Sequence, residues 1–482
     1  MRTVDSGLRS QDSECRTQSS ALSPQSSTSR IAFASFIGTA IEFYDFYIYG
    51  LAVAMVIGPV FFPGSDPAAQ ALNAFLTFGI AFLARPLGAL LFGHFGDRIG
   101  RKTTLVASLL VMGVSTTLIG VLPGHDLIGW AAPALLCLLR FGQGIGLGGE
   151  WGGAALLAAE YAPKDKRGWF GMFPQLGPPV GFLLATSSFL LLSQWLDDAQ
   201  FRAWGWRIPF LASAVLVIVG LYVRLKLAET PVFLKSIQAV RPEPFDPVRP
   251  ELVEGTTGAQ DRLVEGYVVH ASTDSARTDF HKLPLAQLFK HHTAPLLLGA
   301  LAMVVCYALF YISTVFSLSY GVNSLGIPRP QFLAMLCVAV VFMAAATPLA
   351  AMASDRFGRR PVLLVAGSAA LLSGFLLAPM LGSGSTWQIT TFLGIELFLM
   401  GATFAPMGAL LPELFPTAVR YTGAGAAYNL GGILGASLAP YIAQQLVLHG
   451  GLAWVGGYIS AAAAISLLAV FLMRETRDRE LA

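Results

Sequence analysis

The chain has 482 residues, of which 55% are hydrophobic and only 12% are charged, whereas an ordinary soluble domain carries about 25% charged residues. This composition excludes an ordinary soluble protein and indicates that most of the chain lies in lipid. The net charge is only +3, and the basic residues form short clusters between apolar runs. No nucleic-acid-binding face is therefore indicated.

Apolar runs of about 20 residues, the length that crosses a bilayer, are separated along the chain by charged residues, Pro and Gly. They predict an all-α membrane protein with twelve transmembrane helices. The predicted limits are approximately 31–60, 71–95, 103–122, 129–159, 169–193, 206–226, 294–320, 331–353, 361–381, 387–411, 421–446 and 452–473. Because twelve is even, both termini lie on one side of the membrane.

The distribution of Lys and Arg predicts which side that is. The two tails and the even-numbered connections hold 26 of the 31 basic residues, whereas the odd-numbered connections hold three, Arg202, Arg207 and Arg329. The positive-inside rule therefore places both termini in the cytoplasm. The predicted location is the plasma membrane, which in a bacterium is the inner membrane.

The segments outside the apolar runs differ in composition. Residues 1–30 are rich in Ser, Gln and Thr and predict a disordered cytoplasmic tail. Residues 227–293 are rich in Pro, Glu, Asp, Arg and Thr, and LVEG occurs in them twice, so they predict a cytoplasmic linker with a low-complexity insertion and no packed core of its own. The linker separates an N-terminal six-helix bundle, 31–226, from a C-terminal one, 294–473, and 474–482 form a second cytoplasmic tail.

Short polar patterns recur at matching places in the two bundles. GHFGDRIGRK follows the second apolar run and ASDRFGRR follows the eighth, and aligning Asp97 on Asp355 gives four identities in five positions. A Glu and an Arg seven residues apart also follow both the fourth and the tenth run. Duplication of a six-helix unit explains both patterns and predicts two pseudo-symmetric bundles.

These recurring residues predict a cytoplasmic gate. An Asp at a helix end can accept hydrogen bonds from the N-terminus of a neighbouring helix, and arginines add charge pairs that break when helices separate. The alternative is that the charges only fix the topology. The predicted gate residues are Gly93, Asp97, Arg98, Gly100, Arg101, Glu160, Arg167, Asp355, Arg356, Gly358, Arg359, Glu413 and Arg420.

Several longer segments identify a family. IEFYDFYIYG, RPLGALLFGHFGDRIGRK, RFGQGIGLGGEWGGA and PELFPTAVRYTGAG resemble the metabolite:proton symporter family of the major facilitator superfamily, and the resemblance covers residues 31 to about 475. It implies secondary transport of a small polar metabolite. Members of that family import dicarboxylates, citrate, oxoglutarate, shikimate, proline or betaine.

Charged residues inside the apolar runs predict the coupling site, since each costs about 2.5 to 3.5 kcal/mol at the bilayer centre. Two acids share one helical stripe in the first run. If one of them faces a water-filled cavity beside an arginine, its protonation would alter the charge pairing and couple protons to movement; the resemblance also implies a coupling role for Arg140. The alternative is a structural salt bridge. The residues predicted for proton coupling or substrate are Glu42, Asp45, Arg85, Arg140 and Glu150.

Other polar residues in the apolar runs predict a cavity lining, although aromatic residues at helical spacing also pack structurally. The seventh run carries a hydroxyl stripe at i, i+4 and i+7. The predicted lining residues are Tyr49, Gln175, Tyr307, Tyr311, Thr314, Glu396 and Asn429. The buried arginines favour a carboxylate substrate, and a zwitterion fits equally well if they pair with the acids of the chain.

The sequence contains no catalytic, ATP-binding or metal-binding motif, so neither an enzyme nor a cofactor is predicted. The predicted function is import of an organic acid or zwitterion with protons by alternating access, by a monomer in the lipid bilayer. Two alternatives stay open. GPPVG resembles the core of an antiporter motif and would favour proton-driven efflux, but Phe173 stands where that motif has a further Gly. A non-transporting membrane sensor would need a folded signalling domain, for which the tails and the linker have too few apolar residues.

Overall fold

The computed structural model describes residues 24–64, 66–99, 101–148, 162, 166–226, 284–416 and 419–478. Within these ranges, twelve helices are long and apolar enough to cross a membrane, which confirms the predicted number. They are α1 (Ser35–Phe61), α2 (Pro67–Phe92), α3 (Thr103–Val121), α4 (Ala131–Gly148), α5 (Arg167–Trp195), α6 (Gly205–Tyr222), α7 (Thr293–Asn323), α8 (Arg329–Phe357), α9 (Arg359–Leu381), α10 (Thr386–Glu413), α11 (Arg420–Gly450) and α12 (Leu452–Leu472).

The predicted limits agree with these helices to within about one turn wherever both ends are described. The predicted C-terminal part of α4 falls in 149–161, outside the described residues. The helix of α1 begins at Pro24, inside the predicted N-terminal tail. Hydropathy locates the membrane-spanning part of a helix but does not show how far the helix continues beyond it.

The packing of the helices has the same pattern in both halves of the chain. In the first half α1 packs on α5, α2 on α4 and α3 on α6, and in the second half α7 packs on α11, α8 on α10 and α9 on α12. The contacts between the halves are also equivalent, α2 with α11 and α5 with α8. Each helix thus has the neighbours of the helix six positions away, as duplication of a six-helix unit predicts.

α1 and α7 contain a π-helical turn at equivalent places, Val53–Ile57 and Ile312–Phe316, and the two turns contact each other. A third π-helical turn, Ile433–Ser437, lies in α11. Such turns are rare in proteins and occur frequently at functional sites. The three helices that contain them all contribute to the centre of the molecule.

The close approach of α4 to α2 fixes the backbone around Arg85. A Cβ atom on Gly148 would lie 2.0 Å from the carbonyl oxygen of Arg85, and one on Gly144 would lie 2.2 Å from that of Ala81. Any larger residue at either glycine would force the helices apart. The sequence GIGLG in α4 therefore determines where α2 presents Arg85.

The end of the predicted linker differs from the expectation. Residues Pro284–His291 form a short amphipathic helix before α7, and Leu288 in it is buried in the main hydrophobic core. The polar composition of the linker as a whole concealed this short apolar face. Residues 227–283 lie outside the described part of the chain.

Candidate functional site

Arg85 of α2 lies at the centre of the molecule, where the two halves meet. Its guanidinium carbon is 4.2 Å from the ring centroid of Phe82 and 4.5 Å from that of Phe46. The side chain is 1% exposed, and its Nε and Nη2 donate no hydrogen bond. The hydroxyl group of Tyr311, from α7 in the other half, faces the guanidinium.

Arg140 of α4 is bound differently, because all its hydrogen bonds and ring contacts come from the first half. It donates hydrogen bonds to the side-chain carbonyl of Gln143 and, at 3.2 Å, to the carbonyl oxygen of Phe78. Its guanidinium carbon lies 3.7 Å from the ring centroid of Tyr49. Gln143 in turn donates to Thr116 at 2.6 Å. These contacts hold Arg140 within one bundle.

Aromatic side chains from both halves close the space around Arg85. Ring centroids of Tyr47 and Phe310 are 4.8 Å apart, and those of Phe82 and Tyr311 are 5.5 Å apart. All these side chains are buried, so the centre is closed to solvent in this conformation. We call the group the central cluster; its members are Phe46, Tyr47, Phe78, Phe82, Arg85, Phe182, Tyr307, Phe310, Tyr311 and Tyr428.

Asp45 of α1 is completely buried, and neither of its carboxylate oxygens accepts a hydrogen bond. The hydroxyl group of Ser213 on α6 approaches the carboxyl group without completing one. Glu42, one turn earlier, is buried as well. The predicted contact between an acid of α1 and a buried arginine is absent for Asp45, since no ion pair among the described residues joins it to Arg85 or Arg140.

The structure separates the predicted lining residues into two groups. Tyr307 and Tyr311 belong to the central cluster and stack with an interplanar angle of 9°. The hydroxyl groups of Tyr49 and Thr314 already have partners within the protein. The first is hydrogen-bonded to Thr77 at 2.5 Å and the second donates to the carbonyl oxygen of Phe310 in its own helix at 2.6 Å. Helical spacing places residues on one face but does not show which hydroxyl groups the backbone already binds.

The remaining lining residues have distinct positions. Gln175 of α5 donates to the carbonyl oxygen of Phe404 in α10 at 3.0 Å, so it connects the two halves. Glu396 is completely buried in α10, beside Ser373 of α9 and therefore inside the second half. Asn429 is buried in α11, next to Tyr428 of the central cluster.

The second copy of the predicted gate motif closes one end of the molecule, which we call the motif end. Asp355 of α8 accepts hydrogen bonds from the backbone N–H groups of Gly168, at 2.7 Å, and Trp169, at 2.8 Å. Both are in the first turn of α5, in the other half, where the helix dipole favours an anion. The prediction that a motif Asp binds the N-terminus of a neighbouring helix is confirmed for this copy.

Ion pairs extend the contact at the motif end. Arg359 binds Asp355 at 2.7 Å and Glu413 of α10 at 3.2 Å. Arg167 of α5 lies 3.9 Å from Glu413, which adds an ion pair between the halves. We call Arg167, the first turn of α5, Asp355, Arg359 and Glu413 the motif-end interlock.

Not every predicted gate residue takes part through its side chain. The guanidinium of Arg356 is exposed over Phe357, and the carbonyl oxygen of Arg356 accepts a hydrogen bond from Arg477 at 3.0 Å. Arg420 is buried at the start of α11 and donates to the carbonyl oxygen of Phe415. Gly358 has a φ of 103°, which favours glycine, between α8 and α9. Residues Gly100, Glu150 and Glu160, together with the environments of Gly93, Asp97, Arg98 and Arg101, lie outside what the structure describes.

The C-terminal segment also belongs to the motif end. Glu475 accepts hydrogen bonds from the backbone N–H groups of Arg359 and Arg360, both at 2.9 Å, and so binds the N-terminus of α9. Burial raises the pKa of Glu475, but backbone N–H donors outweigh it and hold the pKa below its usual value. Thr476 donates to Glu413 at 2.6 Å. Sequence analysis missed these contacts because Glu475 lies in a short polar segment without a motif.

A second contact between the halves lies at the opposite end of the molecule. Arg329, the first residue of α8, pairs with Asp198 in the short helix Asp198–Ala203 that follows α5. Its guanidinium carbon also lies 3.8 Å from the ring centroid of Phe201. The sequence offers one signal for this contact: Arg329 is one of only three basic residues in the odd-numbered connections. Its position there indicates topology but does not identify Asp198 as its partner. Both ends of the molecule are therefore closed in this conformation.

We expect the Arg329→Gln substitution to favour opening at this end. Asp198 is 81% exposed, so the ion pair contributes little, and the cation–π contact adds about 1 kcal/mol. The measurement is the rate at which a maleimide modifies Cys337 of α8, which contacts Ser187 of α5 across the interface, with the other cysteines replaced. We expect a rise of roughly fivefold. Arg207→Gln is the matched control, because Arg207 binds Leu122 and Ala203 within the first half; equal rates in both variants would contradict the assignment.

Known proteins resemble this chain along most of its length. The family described as Sugar (and other) transporter matches residues 31–482. The chain is 49% identical to the inner membrane metabolite transport protein YhjE of Escherichia coli, over 95% of this chain and 97% of that protein. It is 35% identical to the shikimate transporter of E. coli, over 93% and 95%. The xylose transporter XylE of E. coli, in a partially occluded inward-open conformation, has a TM-score of 0.68 at 16% identity and covers 95% of this chain and 100% of its own, which shows the same fold.

Proposed function

Because the chain belongs to the sugar transporter family of the major facilitator superfamily, we propose that it imports an organic acid or a zwitterion together with protons. The protein is a metabolite transporter of the inner membrane and not an enzyme. The excess of Lys and Arg in the even-numbered connections supports a cytoplasmic location for the motif end and for both termini.

The observation that carries the proposal is the isolation of Asp45. A charged carboxylate that is completely buried and accepts no hydrogen bond is unfavourable by several kcal/mol. Asp45 therefore holds a proton in the closed conformation. When one end opens, water reaches α1 and the proton can leave. The same group can thus receive a proton from one side of the membrane and release it to the other.

The two closed ends supply the second part of the mechanism. The motif-end interlock and the Arg329–Asp198 pair each join the first half to the second. Opening either end requires that its contacts break while the contacts at the other end remain. Rocking of one pseudo-symmetric bundle against the other about the central cluster meets this requirement. The closed conformation is then the intermediate between the two open ones.

The proposal is tested by uptake into proteoliposomes that contain the purified protein. The probes are radiolabelled shikimate, glycine betaine and proline, added with an acidic outside and, separately, with the pH gradient collapsed. We expect at least one probe to accumulate under the gradient and only to equilibrate without it. Entry of that probe should also raise the external pH.

Each alternative predicts a different result in the same experiment. Equal accumulation with and without the gradient would remove proton coupling from the proposal. A probe that is expelled from loaded vesicles when the outside is acidic, and that accumulates only when the gradient is reversed, would indicate antiport. Failure of all probes to cross under every gradient would overturn the proposal and favour the sensor.

A further inference from the structure

We propose that Arg85 is the residue that binds the carboxylate group of the transported metabolite, whereas Arg140 is structural. This inference rests on the proposed function, since it assigns a substrate group to the central cluster. Arg85 leaves two of its hydrogen-bond donors without a partner. Nε and Nη2 are buried in a side chain that is 1% exposed, yet neither donates a hydrogen bond. Buried polar groups of this kind are normally paired.

The electrostatics around Arg85 favour an anionic partner. No carboxylate among the described residues forms an ion pair with Arg85. The aromatic rings of Phe46 and Phe82 beside it offset only part of the unfavourable burial. A guanidinium presents its donors along its edge, in the geometry of a carboxylate. Phe46 and Phe82 lie beside the guanidinium, and its unpaired Nε and Nη2 donors are left for a ligand.

The position of Arg85 suits a transported molecule. It extends from α2 towards α7 and α11, and the hydroxyl groups of Tyr311 and Tyr428 lie in its field. A carboxylate bound here would contact the first half through Arg85 and the second half through tyrosine. The aromatic rings that surround the site suit the aliphatic or methylammonium part of the same molecule. Binding therefore draws on both bundles, as alternating access requires.

Arg140 differs from Arg85 in its hydrogen bonds. Its two terminal nitrogens donate to Gln143 and to the carbonyl oxygen of Phe78, which leaves Nε alone without a partner. Its hydrogen bonds and ring contacts are all within the first half, and Tyr49 lies closest to it; Tyr311 of the second half lies in its field but forms no hydrogen bond with it. Arg140 thus connects α4 to α1 and α2, and a ligand would have to displace existing hydrogen bonds to reach it.

The test measures binding to the purified full-length protein by its thermal unfolding, without a proton gradient. Three pairs of probes differ at the carboxylate: glycine betaine and choline, shikimate and methyl shikimate, proline and prolinamide. A ligand that binds the native state raises the apparent Tm in proportion to the logarithm of its concentration over its Kd. We expect at least one acid to raise the Tm at up to about 10 mM while its uncharged or cationic partner does not.

The variants assign the effect to one arginine. We expect Arg85→Gln to weaken binding of that acid roughly ten- to hundredfold, and Arg85→Lys, which keeps the charge but not the bidentate edge, to weaken it less. Arg140→Lys should lower the Tm of the ligand-free protein and leave the affinity within about threefold. If Arg85→Gln unfolds, Arg85→Lys and Arg140→Lys still distinguish the two residues.

Three outcomes would overturn the inference: no acid raises the Tm, the acid and its partner raise it equally, or Arg85→Gln binds the acid as the native protein does. The inference can fail separately from the proposed function. Acid binding that ignores Arg85, combined with accumulation driven by the proton gradient, would overturn the Arg85 assignment alone. Acid binding that depends on Arg85, without any gradient-driven accumulation, would overturn symport alone.

Discussion

The Asp45→Asn variant is expected to bind and exchange its substrate but to lose all accumulation. Two pH units across the membrane support up to about a hundredfold concentration ratio for each coupled proton. Asparagine has nearly the shape of a protonated aspartic acid but cannot release a proton, so the ratio should fall to about one. Exchange of labelled for unlabelled substrate needs no net proton movement and should continue. The measurement is accumulation and exchange of the same probe in proteoliposomes.

The structure also predicts the stability of this variant. The carboxylate of Asp45 accepts no hydrogen bond, so its replacement by an amide removes no stabilising contact, and the apparent Tm should be unchanged or higher. Asp126→Asn is the matched control, since Asp126 is an exposed residue of the same half, and it should accumulate substrate normally. Normal accumulation by Asp45→Asn would assign Asp45 a structural role and require another proton carrier.

The Asp355→Asn variant is expected to open the motif end. Asparagine keeps one acceptor oxygen, so one of the two hydrogen bonds from the first turn of α5 is lost and the other loses its charged acceptor. Hydrogen bonds to charged groups contribute about 1.5 to 3 kcal/mol each. A total loss of about 2 to 4 kcal/mol changes the opening equilibrium roughly 30- to 700-fold. Substrate affinity should change little, because the central cluster is not altered.

Opening at the motif end can be measured with a cysteine at position 172. Met172 is 4% exposed and packs with Ala350, Ala351 and Ala405 in an apolar cluster between the halves. In a Met172→Cys protein without the native cysteines, Asp355→Asn should accelerate maleimide labelling by more than tenfold. Asp478→Asn is the control, because that carboxylate is 89% exposed. The same labelling rate in both variants would show that Asp355 does not keep this end closed.

Several features of the site were predictable, either because a motif recurs in both halves or because a charged residue inside an apolar run is energetically unfavourable. The recurrence of the Asp-Arg pattern predicted a gate, and the role of Asp355 at a helix N-terminus followed from the charge of the carboxylate and the helix dipole. Arg85 and Arg140 were identified because a charge inside an apolar run demands an explanation. None of these inferences required knowledge of neighbouring helices.

The partners of those charges could not be predicted in the same way. Arg140 binds Gln143 and the carbonyl oxygen of Phe78 rather than Asp45. Arg329 meets Asp198, 131 residues away in sequence, and Glu475 binds the start of α9. Each contact depends on the rotation of a helix about its axis and on its distance from its neighbours.

By itself the sequence determined that this protein lies in a lipid membrane, how many helices cross it, and that a six-helix unit is duplicated. Hydropathy and repetition depend on the order of residues alone, because lipid selects apolar runs of a set length. Only the tertiary structure decided that Arg85 faces the other half while Arg140 is bound within its own, and that both ends of the molecule are closed. Those outcomes depend on side-chain packing between helices distant in sequence, which no local pattern encodes.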